Sequence, residues 1–225
     1  MKLLFIGNSA TYVHDIPETL CLLAEKAGYL ATAKRITPGG YSLAQHADVS
    51  TDHGQAVLEE IGKGYDIVVL QEVSKCISSE ELSRQTRQAS HVLAAAVRSA
   101  GAEPVFYARP PVGTPQGTVT PFEQCVKLDQ LFSQIAERED MRNIYVNRAF
   151  AYAMKELDVD LWGPDHAHTS PSGAYLAVCV FFATLFHASA TVLDCNGLDP
   201  KVAHQLQRIA DRVAFDGEWN GEEAL

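Results

Sequence analysis

The chain has 225 residues, of which 47% are hydrophobic and 20% charged, and this predicts a single well-cored domain over residues 1–225. Its formal net charge of −10 argues against nucleic acid and anionic membranes as partners, because both would be repelled. The five cysteines are scattered without a Cys-x-x-Cys pair, so neither a disulfide framework nor a metal site is predicted.

Two kinds of segment alternate along the chain: short apolar runs and longer stretches with helical periodicity. Strands are predicted at 2–6, 31–37, 66–71, 103–108 and 143–147. Helices are predicted at 17–27, 55–64, 79–100, 121–138, 172–187 and 200–214. Apolar strands that alternate with helices indicate a parallel sheet covered on both faces. We therefore expect an α/β fold, a flavodoxin-like three-layer α/β/α sandwich with a mostly parallel five-stranded sheet.

In sheets of this kind the ligand site lies beyond the carboxyl ends of the strands. This rule selects five short segments, at 7–11, 38–42, 71–74, 109–113 and 165–169. The candidate functional residues are therefore sought in these segments.

The first segment, GNSAT, places Ser9 directly after a buried strand. A serine hydroxyl is a poor nucleophile unless a base removes its proton, and the base is best oriented by a carboxylate. The segment GPDHAHTSPSGAYLA offers Asp165 and His168, three residues apart. A tight turn can bring that carboxylate beneath the imidazole, and Ser170 and Pro171 are typical of a helix start just beyond it. These residues predict a Ser-His-Asp triad.

An acyl-transfer site also needs donors for the oxyanion. The backbone N–H of Ser9 is one candidate, and Gly39 or Gly40 offers backbone that a ligand can approach closely. The side-chain amide of Gln71 is a third candidate, with a tie between two loops as its alternative role. Asn8 is expected to hold the turn through its own side chain.

Four ordered motifs carry a family resemblance: GNSAT, a glycine after the second strand, a polar amide after the third, and Asp-x-x-His before the last helices. Together they resemble the SGNH (GDSL-like) hydrolases over nearly the whole chain. The resemblance implies an esterase or deacetylase with Ser9 as nucleophile, His168 as base, Asp165 as its orienter and Gly40 as an oxyanion donor. The third block reads LQEVSKC where the family has Gly-x-Asn-Asp. Gln71 is the candidate replacement, as in a divergent branch whose first block also reads GNS.

Further side chains near these segments are candidates for substrate contact. Arg109 could bind a substrate carboxylate, although an ion pair with a surface acid is the favoured expectation. Glu72 is expected to accept hydrogen bonds that support the site. His166 is expected to face substrate or solvent. The remaining candidates are expected to wall the pocket, with ordinary packing as the alternative for the tryptophan: Asn8, Tyr12, His14, Tyr41 and Trp162.

The function predicted from these residues is a serine ester hydrolase that works through an acyl-enzyme without metal or organic cofactor. The resemblance implies a small-molecule or carbohydrate ester, with a short acyl group such as acetyl, as its substrate. Two alternatives stay open. The loop after the first strand could hold a phosphate or a flavin, as in a flavodoxin, although Gly-x-x-Gly-x-Thr is absent. The missing asparagine also permits a degenerate hydrolase fold that serves as an interaction partner.

Apolar segments of the sequence bear on the location of the protein. The initial run MKLLFIG is too short for a signal peptide, and AYLAVCVFFATLF falls short of the roughly 20 apolar residues that span a bilayer. A soluble, cytoplasmic protein is expected. The tail from about 216 to 225 is expected to be solvated.

Overall fold

The computed structural model describes residues 1–217 and residue 219. Five strands form one sheet with the order β2-β1-β3-β4-β5, and every neighbouring pair is parallel. The predicted α/β architecture is confirmed, and the sheet is wholly rather than mostly parallel. The strands are β1 (Lys2–Ile6), β2 (Thr32–Ile36), β3 (Ile67–Gln71), β4 (Glu103–Tyr107) and β5 (Arg142–Ile144).

Helices cover the sheet and connect its strands. They are α1 (Ser9–Tyr12), α2 (Ile16–Lys26), α3 (Leu43–His46), α4 (Asp52–Ile61), α5 (Glu80–Ser99), α6 (Pro121–Arg138), α7 (Val146–Glu156), α8 (Pro171–Phe186) and α9 (Pro200–Asp211). Short 3-10 turns lie at Val13–Asp15, Ser74–Ile77 and Ala190–Val192, and a π-turn at Arg212–Asp216 follows α9. All six predicted helices are present, within a few residues of their predicted bounds.

The two faces of the sheet carry separate hydrophobic clusters, which gives the three layers. Side chains alternate along a strand, so Leu3 and Phe5 of β1 enter one cluster and Leu4 and Ile6 enter the other. Residues of α2, α7, α8 and α9 complete the first cluster, and residues of α4, α5 and α6 complete the second. Because both faces are covered, β1 is apolar on both sides, and this explains the uninterrupted run in the sequence.

The fifth strand is shorter than predicted. It ends at Ile144, and the residues assigned to its second half begin α7, a helix that was not predicted. Val146, Ala149, Phe150 and Ala153 are buried in the first cluster at three- and four-residue spacing, which is the pattern of a helix packed on a core.

Two sequence expectations concern segments outside the sheet. Among the described residues, no helix combines the length and the apolar character that crossing a bilayer requires. The tail expected to be solvated lies mostly outside the described residues. Trp219, which is described, packs edge-on against Tyr152 with ring centroids 5.5 Å apart.

Candidate active site

Ser9 is positioned by the turn between β1 and α1. Asn8 caps α1, and its Oδ1 accepts a hydrogen bond of 3.0 Å from the Ala10 backbone N–H. Its Nδ2 donates to the backbone oxygen of Tyr41 at 2.9 Å, which ties the β1 turn to the loop after β2. Ser9 is therefore the first residue of a helix whose entry is fixed by a buried side chain.

Gln71, the last residue of β3, buttresses this turn from the neighbouring strand. Its Oε1 accepts hydrogen bonds from the Asn8 backbone N–H at 2.9 Å and from the Thr11 hydroxyl at 3.0 Å. Its Nε2 donates to the backbone oxygen of Glu72. The amide is buried behind the turn, and this geometry fits the second role considered for Gln71, a tie between loops.

Glu72 extends the same network. Its Oε1 accepts from the backbone N–H groups of Leu43 at 3.2 Å and Val73 at 2.7 Å, and its Oε2 accepts from the Thr86 hydroxyl at 3.0 Å. Burial raises the pKa of Glu72. Both carboxyl oxygens thus join α3, α5 and the β3 loop around the site.

The predicted base and its carboxylate meet in the loop before α8. The Nδ1 of His168 lies 2.7 Å from Oδ2 of Asp165, and Oδ1 of Asp165 accepts from the backbone N–H groups of His168 and Ala167 at 3.0 Å each. The bond from the His168 ring, followed by the backbone bonds, holds the pKa of Asp165 below its usual range. Because Nδ1 faces the carboxylate, Nε2 is the ring nitrogen left to act on a substrate.

Contacts to two other segments of the chain fix this loop. The Gly113 N–H, after β4, donates to the His166 backbone oxygen at 2.7 Å. The Nε2 of His14, after α1, lies 2.9 Å from the Thr169 backbone oxygen. Ser170 caps α8 by accepting from the Gly173 N–H at 3.1 Å, which confirms the predicted helix start.

One cavity brings the predicted nucleophile and base together. It has a volume of about 280 Å³, and its lining includes Ser9, Gly40, Arg109 and His168. The first and last of these come from opposite ends of the chain and meet because their strands end at one edge of the sheet. A hydroxyl, an imidazole held by a carboxylate, and an open glycine backbone can together support attack on an acyl carbonyl.

Comparison with known proteins agrees with this arrangement of elements. No family model and no curated protein matches the sequence, but solved structures match. A protein from Slackia heliotrinireducens assigned to the SGNH hydrolases is 24% identical, with 80% of this chain and 96% of that chain covered and a TM-score of 0.68. This chain has the SGNH hydrolase fold.

Two further structures match this SGNH fold at lower identity. A DUF4886 family protein from Bacteroides uniformis is 16% identical, with 100% of this chain and 99% of that chain covered and a TM-score of 0.82. The acetylxylan esterase Axe2 from Geobacillus stearothermophilus is also 16% identical, with 80% of this chain and 92% of that chain covered and a TM-score of 0.60.

Several predicted contact residues lie elsewhere in this SGNH fold. Tyr12 lies beneath Arg35, whose guanidinium carbon is 5.5 Å from the ring centroid. Tyr41 packs on His53 with centroids 4.8 Å apart. Trp162 packs on Phe150 and donates to the Pro111 backbone oxygen at 3.1 Å. None of these aromatic side chains borders the cavity of Ser9 and His168, and His166 is exposed outside it.

The expectation of an ion pair for Arg109 is wrong among the described residues. Arg109 is buried at the end of β4, and its Nε donates to the Pro110 backbone oxygen at 2.8 Å. The side chain is buried, and no Asp or Glu among the described residues lies within ion-pair distance of it. Arg109 lines the cavity instead.

Sequence reasoning missed two side chains that support or border the site. Lys75 borders the cavity from the turn after β3, one residue beyond the segment that the strand-end rule selected. His46 is fully buried on α3, and its Nε2 lies 2.8 Å from the Gly7 backbone oxygen. Burial lowers the pKa of His46 to about 4. No signal in the sequence of α3 points to this contact.

Among the described residues, no group of three or more His, Cys, Asp or Glu could hold a metal ion.

Proposed function

We propose that the protein is a serine ester hydrolase that removes short acyl groups, acetyl above all, from a carbohydrate or another small alcohol. The observation that carries this proposal is the shared cavity of Ser9 and His168, with Asp165 at 2.7 Å from the far ring nitrogen. The activity of Axe2, an acetylxylan esterase of the same fold, supports the choice of acyl group and alcohol.

The reaction begins with proton transfer from the Ser9 hydroxyl to Nε2 of His168 as the serine oxygen bonds to the acyl carbon. The carbonyl bond opens to an oxyanion. His168 then gives the proton to the alkoxide as the bond between the acyl carbon and the alcohol oxygen breaks. Water, deprotonated by the same nitrogen, then bonds to the acyl carbon. The bond from that carbon to the Ser9 oxygen breaks, the serine oxygen takes the proton from His168, and the acid leaves. Asp165 keeps the ring oriented and stabilises its charged form.

We assign the role of oxyanion donor to backbone N–H groups. Those of Ser9 and Gly40 donate to no other group among the described residues, and both residues border the cavity. Gly40 has φ of 74°, and a Cβ built there would meet nothing within 4 Å. The positive φ therefore favours glycine at this position.

The test is hydrolysis of 4-nitrophenyl acetate by the wild type and by Ser9→Ala. We expect Ser9→Ala to lower kcat/KM by about 10³-fold or more, because the nucleophile is removed. Ser99→Ala is the matched control, since Ser99 is exposed near the end of α5 and its loss leaves the cavity intact. Undiminished turnover in Ser9→Ala would exclude the proposed nucleophile.

A fluorophosphonate probe gives a second readout that needs no turnover. The probe should form one covalent adduct, on the peptide that contains Ser9, and His168→Ala should slow its formation. An unlabelled wild-type protein would favour the degenerate fold. Tight binding of FMN by the purified protein would favour the flavin-binding module instead.

A further inference from the structure

Two cationic side chains border the cavity beside the predicted nucleophile. Arg109 reaches it from the end of β4, and Lys75 reaches it from the turn after β3. The remainder of the cavity lining contains no acidic residue. Although the chain has a net charge of −10, the side chains that line this cavity are positive on balance, and a positive lining attracts anions.

Arg109 is buried without a carboxylate partner. It is 7% exposed, and among the described residues no Asp or Glu lies within ion-pair distance of it. Its one side-chain hydrogen bond to the described protein runs from Nε to the Pro110 backbone oxygen. Burial lowers the pKa of Arg109, yet a guanidinium keeps its charge at neutral pH. An unpaired buried cation opposes folding by several kcal/mol.

Arg148, a partly buried arginine, shows how a guanidinium with a structural role is paired in this protein. Arg148 donates to both carboxylate oxygens of Asp129, at 2.6 and 3.2 Å, and to the Ser133 hydroxyl at 3.3 Å. Its guanidinium also lies over the Tyr145 ring, 3.5 Å from the centroid. Arg109 has none of these partners, so its terminal amino groups keep their donors for a molecule in the cavity.

Lys75 is exposed, and its ammonium makes no hydrogen bond or ion pair among the described residues. The acid closest to it along the chain is Glu72, whose oxygens already accept from Leu43, Val73 and Thr86. The Lys75 ammonium interacts electrostatically with the Glu72 carboxyl but donates no hydrogen bond among the described residues, so it can also meet an anion at the cavity.

Resting on the hydrolase function proposed above, we infer that the substrate ester carries an anionic group, a carboxylate by preference, which Arg109 binds and Lys75 attracts. A planar guanidinium matches a carboxylate with two parallel hydrogen bonds. The Lys75 ammonium adds a positive charge that draws the anion toward the cavity. The bound anion would supply the partner that Arg109 lacks in the free protein.

The test compares matched esters that differ in one charge. On the alcohol side the pair is 4-acetoxybenzoate and 4-acetoxybenzamide, and on the acyl side it is monophenyl glutarate and phenyl valerate. For at least one pair we expect the wild type to favour the anion by about 10- to 100-fold in kcat/KM, and the pair that responds identifies the side that carries the charge. Equal kcat/KM values within both pairs would overturn the inference while leaving the hydrolase function standing.

Substitutions of Arg109 and Lys75 test which side chain produces the preference for the anionic ester. Arg109→Gln should reduce it to within about threefold, Arg109→Lys should keep part of it, and Lys75→Gln should lower it less because Lys75 is exposed. Lys127→Gln, which removes the same charge from the exposed surface of α6, should leave the preference unchanged. Retention of the full preference in both Arg109→Gln and Lys75→Gln would contradict the assignment. Thermal unfolding identifies any variant that fails to fold. If Arg109→Gln fails to fold, the effect of Lys75→Gln on the preference for the anionic ester decides the test.

Calorimetric titration of Ser9→Ala with the same four esters separates the two proposals. Tighter binding of an anionic ester, together with no hydrolysis by the wild type, would refute the hydrolase and support the anion site. Hydrolysis by the wild type without any difference in affinity or rate within either pair would support the hydrolase and refute the anion site.

Discussion

The side-chain oxygen of Gln71 lies 2.9 Å from the backbone nitrogen of Asn8. Gln71 ends β3 and Asn8 follows β1, and these two strands are neighbours in the sheet. The same oxygen accepts from the Thr11 hydroxyl at 3.0 Å, so it contacts the chain on both sides of Ser9. The position of the predicted nucleophile therefore depends on an amide from the neighbouring strand.

The first prediction concerns the role of this amide. Gln71→Leu should lower the free energy of unfolding by about 2–4 kcal/mol, because the buried donors of Asn8 and Thr11 lose their acceptor. Urea denaturation measures this, and Gln130→Leu on the exposed surface of α6 is the control. A variant of unchanged stability whose kcat falls by about 10²- to 10³-fold would instead identify Gln71 as an oxyanion donor.

The second prediction concerns Gly7, which lies against the same amide. A Cβ built on Gly7 would be 2.5 Å from Oε1 of Gln71. Gly7→Ala should therefore displace Gln71 and lower the free energy of unfolding by about 1–3 kcal/mol. At Gly62 the nearest atom is the Glu59 backbone oxygen at 3.4 Å, so Gly62→Ala should be close to neutral. Equal effects of the two substitutions in denaturant unfolding would contradict this interpretation of the contact.

The third prediction concerns Asp165. Asp165→Asn keeps an oxygen for the N–H groups of Ala167 and His168 but no longer favours the correct His168 tautomer, so kcat should fall by about 10²- to 10⁴-fold. Stability should change little, because the Asp165 side chain is 55% exposed. Stopped assays with 4-nitrophenyl acetate and thermal unfolding check both parts. A variant with wild-type kcat would remove Asp165 from the mechanism.

The pH dependence of the wild type follows from the same contacts. Hydrogen bonds hold the pKa of Asp165 below its usual range, so this carboxylate stays ionised through neutral and mildly acidic pH. We therefore expect protonation of Asp165 to make no contribution to the acidic limb of the kcat/KM profile between about pH 5 and pH 8. If Asp165→Asn kept full activity at neutral pH but lost the acidic limb of the profile, protonation of Asp165 would be the cause of that limb.

The sequence predicts best the elements whose signals are local. The bounds of α6 match the prediction, and its start carries a local signal, because Thr120 and Glu123 form a capping box on either side of Pro121. The start of α7 does not match the prediction, because Val146 and its neighbours are apolar enough for either a strand or a helix. Their burial in the cluster with α8 and α9 decides between the two, and this packing is a tertiary property that a local pattern does not contain.

In the site, too, some features follow from sequence order and topology, and others depend on tertiary packing. The strand-end rule places Ser9 and the Asp165 loop at one edge of the sheet, since that placement follows from topology alone. The wrong expectation for Arg109 concerns burial, which depends on how the loop after β4 folds back. Contacts that cross between elements, such as His46 to the Gly7 oxygen at 2.8 Å, likewise depend on tertiary packing that no local pattern encodes.

The last prediction concerns the buried His46 and the stability of the fold at acid pH. Its Nε2 donates to the Gly7 oxygen, so its Nδ1 is left to accept from Nε2 of His53 at 3.0 Å. The Tyr41 ring packs beside it, with centroids 5.6 Å apart. This arrangement holds the imidazole neutral, and burial lowers the pKa of His46 from 6.5 to about 4.

Because the unfolded chain binds the proton more readily than the folded one, protonation of His46 favours unfolding. Its contribution is fully present above about pH 6.5 and is lost as the pH falls toward about 4, by up to about 3 kcal/mol. Urea unfolding measured from about pH 7 down to about pH 4.5 should show this loss in the wild type, and His46→Gln should flatten the profile. His204→Gln, on the exposed side of α9, should leave the profile unchanged. An unaltered slope in His46→Gln would assign the acid sensitivity to other groups.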